Sequence, residues 1–272
     1  MSFLDDWKIG QTAVPKNEIK FFRFFAELLS KHHKGVHYYE VHGNPGHVSF
    51  SSGLWPTKPP VTKELGDLII ITYDYGTMQA RYTINQNKFQ KTTGAQRVRP
   101  AFKFKADIHQ YDLLAYRPDV EVAGSIPFPR SILSGTDYDS VGSYGVFYES
   151  EGHLIDFIYS IAKWLSPQSY VNSCNLILNT FQNEMGVAGR ETICTVGIET
   201  FLKHLLGMRI GAPVFTPEIG GFLNSLIRKA AEEVGEEPPV VDLPVFNEYA
   251  GDDNSAIGGG YRLLLINVGD NA

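Results

Sequence analysis

Three polar side chains around one apolar run carry the chemistry this sequence offers. Asp67 stands immediately before Leu68-Ile69-Ile70-Ile71-Thr72-Tyr73. Gln86 and Lys88 stand near the end of the segment that follows, Met78 to Lys88. Consecutive apolar or β-branched residues without a helical period predict a strand buried on both faces. Asp74-Tyr75-Gly76-Thr77 predicts a turn, because Gly accepts positive φ and Asp hydrogen-bonds locally; Met78 to Lys88 then predicts the partner strand. Alternation along that strand puts Gln86 and Lys88 on one face with Ile84, and hairpin pairing can bring the Asp67 carboxylate beside them. A carboxylate, a second oxygen ligand and a lysine are what metal-assisted phosphodiester cleavage needs at one point. The oxygens hold a hard divalent cation, and the lysine steadies the attacking water or the charge developing on phosphorus.

This arrangement resembles the PD-(D/E)xK, or restriction-endonuclease-like, nuclease superfamily. In that family an Asp opens the first hairpin strand, and a Glu or Gln one residue before a Lys lies near the end of the next. Gln110-Tyr111-Asp112-Leu113-Leu114 and Phe201-Leu202-Lys203-His204-Leu205-Leu206-Gly207 add a weaker likeness to bacterial proteins with a Glu-x-x-Asp…Gln-x-Lys core. The resemblance implies a restriction-endonuclease-like core and an endonuclease dependent on Mg²⁺ (or Mn²⁺), acting on DNA rather than RNA in a restriction or anti-phage system. It implies that Asp67 ligates the metal, that Gln86 completes or orients the shell, and that the Asn87 backbone carbonyl ligates as well. Lys88 then positions water. A helix before the hairpin often lends a further carboxylate in this family, for which Glu18 and Glu27 are the candidates. Two departures stand out: Gly66 precedes Asp67 where proline is common, and Gln86 replaces the commoner Glu. A site with fewer carboxylates binds Mg²⁺ more weakly. The alternative reading is therefore a catalytically weak or inactive nuclease-fold subunit that binds nucleic acid or protein.

The chain-wide properties bound the reading. A hydrophobic fraction of 43%, 26 glycines and 15 prolines fit an α/β fold with many turns, a mixed central β-sheet flanked by helices. The expected organisation is a nuclease core over 1–170 and a C-terminal helical and strand extension over 171–272 packed on it, or one single domain overall. The formal charge of −6 excludes a generally basic nucleic-acid binder, so contacts to phosphate must come from a local patch. That patch is predicted between Arg81 and Arg117, where eight Lys and Arg face two Asp. Arg81, Lys91, Arg97 and Arg99 are the candidate nucleic-acid contacts, and Phe102, Phe104 and Tyr111 either stack on bases or belong to the core. Two cysteines, Cys174 and Cys194, argue against a disulfide framework or a cysteine zinc site. His32, His33, His37, His42 and His47 crowd one stretch, but their spacing matches no ordinary zinc pattern. No segment is apolar enough for a membrane span and the first residues lack a signal-peptide core, so a cytoplasmic protein is expected. No helix-turn-helix or finger motif is visible, so target choice is expected to come from a homo-oligomer or a larger complex.

The flanking elements follow from caps and periods. Asn17 predicts the start of a helix over Ile19–Leu29, closed by Gly35. Val36 to Phe50 predicts a hairpin about Asn44-Pro45-Gly46, and Ser51 to Val61 an irregular loop with Trp55 pinned to the core or stacked on a base. Tyr144–Tyr148 predicts a strand, His153–Leu165 and Glu191–Leu206 predict helices, and Thr216-Pro217 starts a helix reaching Val234. A last strand is predicted over Tyr261–Val268, after a glycine run read as a flexible joint.

Overall fold

The computed structural model of the chain describes residues 2–44, 46–90, 102–149, 154–178, 195–239, 241, 243–247 and 260–269. The strands are β1 (Val36–Val41), β2 (His47–Phe50), β3 (Val61–Glu64), β4 (Leu68–Asp74), β5 (Gln79–Gln90), β6 (Phe102–Asp107) and β7 (Val120–Val122). They continue with β8 (Gly142–Glu149), β9 (Ile155–Ile161), β10 (Leu165–Pro167), β11 (Ser173–Leu178), β12 (Thr195–Gly197), β13 (Ala212–Pro213) and β14 (Tyr261–Asn267). The helices are α1 (Phe3–Gly10), α2 (Glu18–His32), α3 (Ile108–Tyr116), α4 (Ile198–Leu206), α5 (Pro217–Val234) and α6 (Pro244–Asn247).

The apolar run after Asp67 is β4, at the centre of an eight-stranded mixed sheet ordered β1-β14-β4-β5-β8-β9-β12, with β13 also paired to β5. Its side chains alternate between two cores. Leu68 and Ile70 face α1, α2 and α4 through Trp7, Phe21, Phe25 and Phe201. Ile69, Ile71 and Tyr73 face α3 and α5 through Leu113, Leu114, Leu223 and Leu226. The sheet is thus covered by helices on both faces, which is why the run shows no polar alternation. Two three-stranded sheets, β10-β11-β6 and β3-β2-β7, complete the fold. Among the described residues no helix is long and apolar enough to cross a membrane.

Local signals hold where the partner is near in sequence. Asp74 Oδ1 accepts from the Gly76 amide at 2.8 Å, and Thr77 Oγ1 donates to Asp74 Oδ2 at 2.9 Å, closing the β4–β5 turn. Asn17 Oδ1 caps α2 by accepting from Ile19 N at 2.9 Å. Thr216 caps α5 with Pro217 in its first turn. Gly35, expected as the helix stop, lies two residues beyond the actual C-cap His33 and takes φ 70°.

Three expectations are corrected. Of the helix expected over 153–165, residues 154–165 are not α-helical; Ile155–Ile161 is β9, followed by a short 3₁₀ turn at Ala162–Trp164, and residue 153 lies outside the described residues. Phe157, Tyr159 and Ile161 pack on one face of the sheet and Ile158 on the other, so a two-sided strand imitates a helical apolar period. Within the expected helix over 191–206, Thr195–Gly197 is β12 and α4 starts only at Ile198; residues 191–194 lie outside the described residues. Val36–Phe50 is not a hairpin, because β1 pairs with β14 while β2 pairs with β3 and β7 in another sheet. The turn is held instead by remote partners: Gly260 N donates to Asn44 O at 2.6 Å and Leu65 N to Gly46 O at 2.9 Å. The last strand, β14, lies between β1 and β4 in the central sheet, antiparallel to the first and parallel to the second. Gly260 there presses on the Gly43 backbone, where a Cβ would stand 2.7 Å from the Gly43 oxygen. Gly258 and Gly259 lie outside the described residues.

Candidate active site

The site forms where β4 begins. Leu68 is opposite Asn85 in the β4–β5 register, and the Asp67 amide continues the ladder by donating to Asn85 O at 3.1 Å. Asp67 therefore stands opposite Gln86, on the face shared by Tyr82, Ile84 and Lys88, at the point where that apolar face gives way to polar groups. The carboxylate is held by two donors. Asp67 Oδ2 accepts from the Asn87 amide at 2.9 Å and from Gln86 Nε2 in a short hydrogen bond. Gln86 is buried and Lys88 half-buried.

The connection from β3 to β4 is fixed from two sides. Gln110, from α3, donates Nε2 to Leu65 O at 3.2 Å. Gly66 lies against β5 so closely that a Cβ would sit 2.7 Å from Ile84 Cγ2 and 3.3 Å from Asn85 O. Glycine here has a steric cause: the chain must lie flat on β5 for Asp67 to reach Gln86. Gly66→Ala is expected to destabilise the fold by about 1–3 kcal/mol, an overpacking cost. Thermal unfolding measures it, and an unchanged melting temperature would remove Gly66 from this account.

The same connection brings in Glu64, which sequence reading left without a role although it lies three residues before Asp67. Burial first, and the Asp67 charge second, push the Glu64 carboxyl above its ordinary value of 4.5; His47, Arg262 and Lys88 pull it back. His47 is its cross-strand partner in the β2–β3 register. An open cleft of ≈ 140 Å³ lies in front of these groups, lined among others by Glu40, His42, Glu64, Asp67, Tyr261 and Arg262. That is room for several waters. Tyr144, beside Gln86 in the β5–β8 register, is fully buried, and its hydroxyl has no hydrogen-bond partner among the described residues.

A raised carboxyl pKa means that the folded protein holds the proton more tightly than the unfolded chain. Its contribution to stability is full below 4.5 and is lost as pH rises through the folded value. Glu64→Gln is therefore expected to melt higher than the wild type at neutral pH without divalent cation. The gap should close as pH is lowered through the ordinary carboxyl range. A wild type as stable as Glu64→Gln at neutral pH would show that the repulsion is absent.

Two like charges held together in a half-buried cleft suit a hard cation. Among the described residues no three His, Cys, Asp or Glu side chains converge on a common point. A divalent ion would then rest on Glu64 and Asp67 with waters, the sparse protein shell usual for Mg²⁺. Gln86, which turns its amide nitrogen to Asp67, orients that carboxylate. The Asn87 side chain lies on the opposite face, its Oδ1 2.7 Å from where a Gly145 Cβ would be.

The other expected residues divide. Arg81 is committed to the protein: Nη1 donates to Gly211 O at 2.8 Å, and the guanidinium lies 5.0 Å from the Tyr138 ring centroid. Arg117 bonds Thr136 O and Tyr138 O and pairs with Asp139 at 2.9 Å. Phe104 and Tyr111 are core residues rather than stacking platforms. Trp55 is partly buried against that core, its ring 5.3 Å from His109. Lys91, Arg97, Arg99 and Cys194 lie outside the described residues. Glu27 is exposed on α2 and Glu18 half-buried at its start, and neither lines the cleft; the second carboxylate of the cluster is Glu64. Of the histidines, His32 bonds Asp6 at 3.0 Å, His37 stacks on Tyr39, and His47 joins the cluster.

Comparison of the chain with protein-family models, with curated proteins and with solved structures finds no match.

Proposed function

We propose that this chain is a divalent-cation-dependent nuclease, of the PD-(D/E)xK kind, that hydrolyses phosphodiester bonds in DNA. The observation that carries the reading is the Asp67–Gln86 hydrogen bond, which joins two groups 19 positions apart, with Glu64 lining the same cleft as Asp67 and Lys88 on the strand face of Gln86. When bound, a Mg²⁺ or Mn²⁺ ion would supply Lewis acidity to the phosphate and lower the pKa of a water. Glu64 and Asp67 would hold it. The Gln86 amide and the Asn87 N–H both bond Oδ2 and so fix the Asp67 carboxylate in one orientation, in which its other oxygen would ligate the ion. Lys88, on the same face two residues beyond Gln86, offers a positive charge to the attacking water and to the charge developing on the phosphoryl oxygens.

A second reading has its own observation. Gln86 donates to Asp67 where the family's commoner Glu would add a charge, which fits a module that binds DNA without cutting it. Supercoiled plasmid incubated with the protein in Mg²⁺, in Mn²⁺ and in EDTA separates the two. Nicking that requires the cation is the expected result. Binding without nicking under either cation would favour the binding module, and neither binding nor nicking would remove both readings.

A further inference from the structure

Arg262, the second residue of β14, enters the cleft from a strand that sequence reading did not connect with it. It is the register partner of Glu40 on β1. Its Nη1 donates to the Asp67 backbone oxygen at 3.4 Å, and its Nε lies 3.7 Å from Glu40 Oε1. The contact with Glu40 is loose because Glu40 is already satisfied. Arg23 binds it through both carboxylate oxygens, Nε to Oε1 at 3.1 Å and Nη2 to Oε2 in a short bond. Tyr38 OH adds a third hydrogen bond to Oε1 at 2.5 Å. Glu40 is thus bonded first to Arg23 and Tyr38, its ion pair with Arg262 is the longer one, and the Asp67 main chain anchors one edge of Arg262. The Arg262 side chain is 29% exposed and lines the cleft in front of Glu64 and Asp67.

Charge balance shows what this leaves. With Arg23 on Glu40 and a divalent cation on Glu64 and Asp67, Arg262 is, among the described residues, the Lys or Arg side chain that lines this cleft, and Lys88 is a second cation acting on Glu64. Each phosphate of a nucleic acid brings one negative charge, and a guanidinium fork matches its paired oxygens. We infer that Arg262 binds a non-bridging oxygen of the substrate phosphate in this cleft, with Glu40, Arg23 and the Asp67 main chain holding it in place. The inference rests on reading Glu64 and Asp67 as a phosphodiester site.

The test compares full-length wild type, Arg262→Gln and Arg262→Lys by fluorescence anisotropy on a labelled DNA duplex in Ca²⁺ over a series of salt concentrations. Mg²⁺-dependent cleavage and melting temperature are measured on the same preparations. Losing one phosphate contact lowers the slope of log affinity against log salt by about 1. Arg262→Gln is expected to show that drop and to bind about tenfold more weakly at moderate salt. Arg262→Lys, which keeps the charge without the fork, is expected to recover the slope while its kcat/KM stays about tenfold below wild type. A purely structural arginine would move the melting temperature and leave the slope alone. If Arg262→Gln melts too low to use, the Lys variant decides: binding and cleavage both equal to wild type would overturn the inference. An unchanged slope in a folded Arg262→Gln overturns it too, while wild-type cleavage keeps the nuclease reading. A wild type that binds but does not cleave defeats the nuclease reading alone, and the slope still decides Arg262. A wild type that does not bind DNA overturns both.

Discussion

Asp67→Asn is expected to lower Mg²⁺-dependent cleavage of DNA by about 10³-fold while leaving the melting temperature close to that of the wild type. The size follows, on the nuclease reading proposed above, from removing a charge that would act directly on a cation stabilising the transition state. The side chain keeps its shape, and its oxygen still accepts from the Asn87 amide that now bonds Oδ2 at 2.9 Å. The backbone ladder to Asn85 O is untouched. Removing the charge also relieves Glu64, whose carboxyl is pushed up by burial and then by Asp67, so stability should not suffer. Single-turnover cleavage and thermal unfolding on one preparation measure both. Cleavage within tenfold of wild type would take Asp67 out of the mechanism.

The largest effect on stability is expected at Asp112, a fully buried carboxylate on α3. It accepts from Gly53 N at 3.0 Å, from Leu54 N at 3.1 Å and from Ser52 Oγ in a short bond, and Ser52 Oγ in turn accepts from Trp55 N at 2.9 Å. Ser52 to Trp55, the start of the irregular stretch that leads into β3, are tied to this one side chain. Asp112→Ala takes the acceptor from the buried Ser52 hydroxyl and from the Gly53 and Leu54 amides and is expected to cost about 3–5 kcal/mol, a fall in melting temperature on the order of 10 °C. Asp112→Asn should cost less, since one carbonyl oxygen remains. A loss under about 1 kcal/mol for the alanine variant would mean that the loop finds other acceptors. Because α3 also holds Leu65 through Gln110, the same substitution should loosen the approach of Glu64 to Asp67.

The parts of the fold legible in the sequence are those whose partners are close along the chain. The β4–β5 hairpin needs only the Asp74 turn and the two-sided apolar run, so the pairing of Asp67 with Gln86, and the place of Lys88 on the same strand face, could be read in advance. Asn17 and Thr216 mark helix starts for the same local reason. What could not be read depends on remote partners. Val36–Val41 and His47–Phe50 look like two arms of a hairpin, yet β14, about 220 residues downstream, takes the place beside β1. Ile155–Ile161 has an apolar pattern that fits a helix and a doubly buried strand alike, and only its position between β8 and β12 decides. Glu64 joins the site because β3 is held by α3 and by Gly66, neither of which shows as a catalytic signal. Its place three residues before Asp67, a Glu-x-x-Asp spacing, is the local signal for it. Arg81 illustrates the converse: charge density pointed to it, but its guanidinium is occupied by Gly211 and Tyr138.

The claim that a divalent cation is held between Glu64 and Asp67 is open to direct observation. Crystals equilibrated with Mn²⁺ and measured at the manganese absorption edge would locate any bound ion by its anomalous signal. The expected result is a peak within coordination distance of the Glu64 and Asp67 carboxylates, lost in crystals of Asp67→Asn. A saturating concentration of Mn²⁺ that leaves no peak there, with Gln86 still bonded to Asp67, would contradict the account.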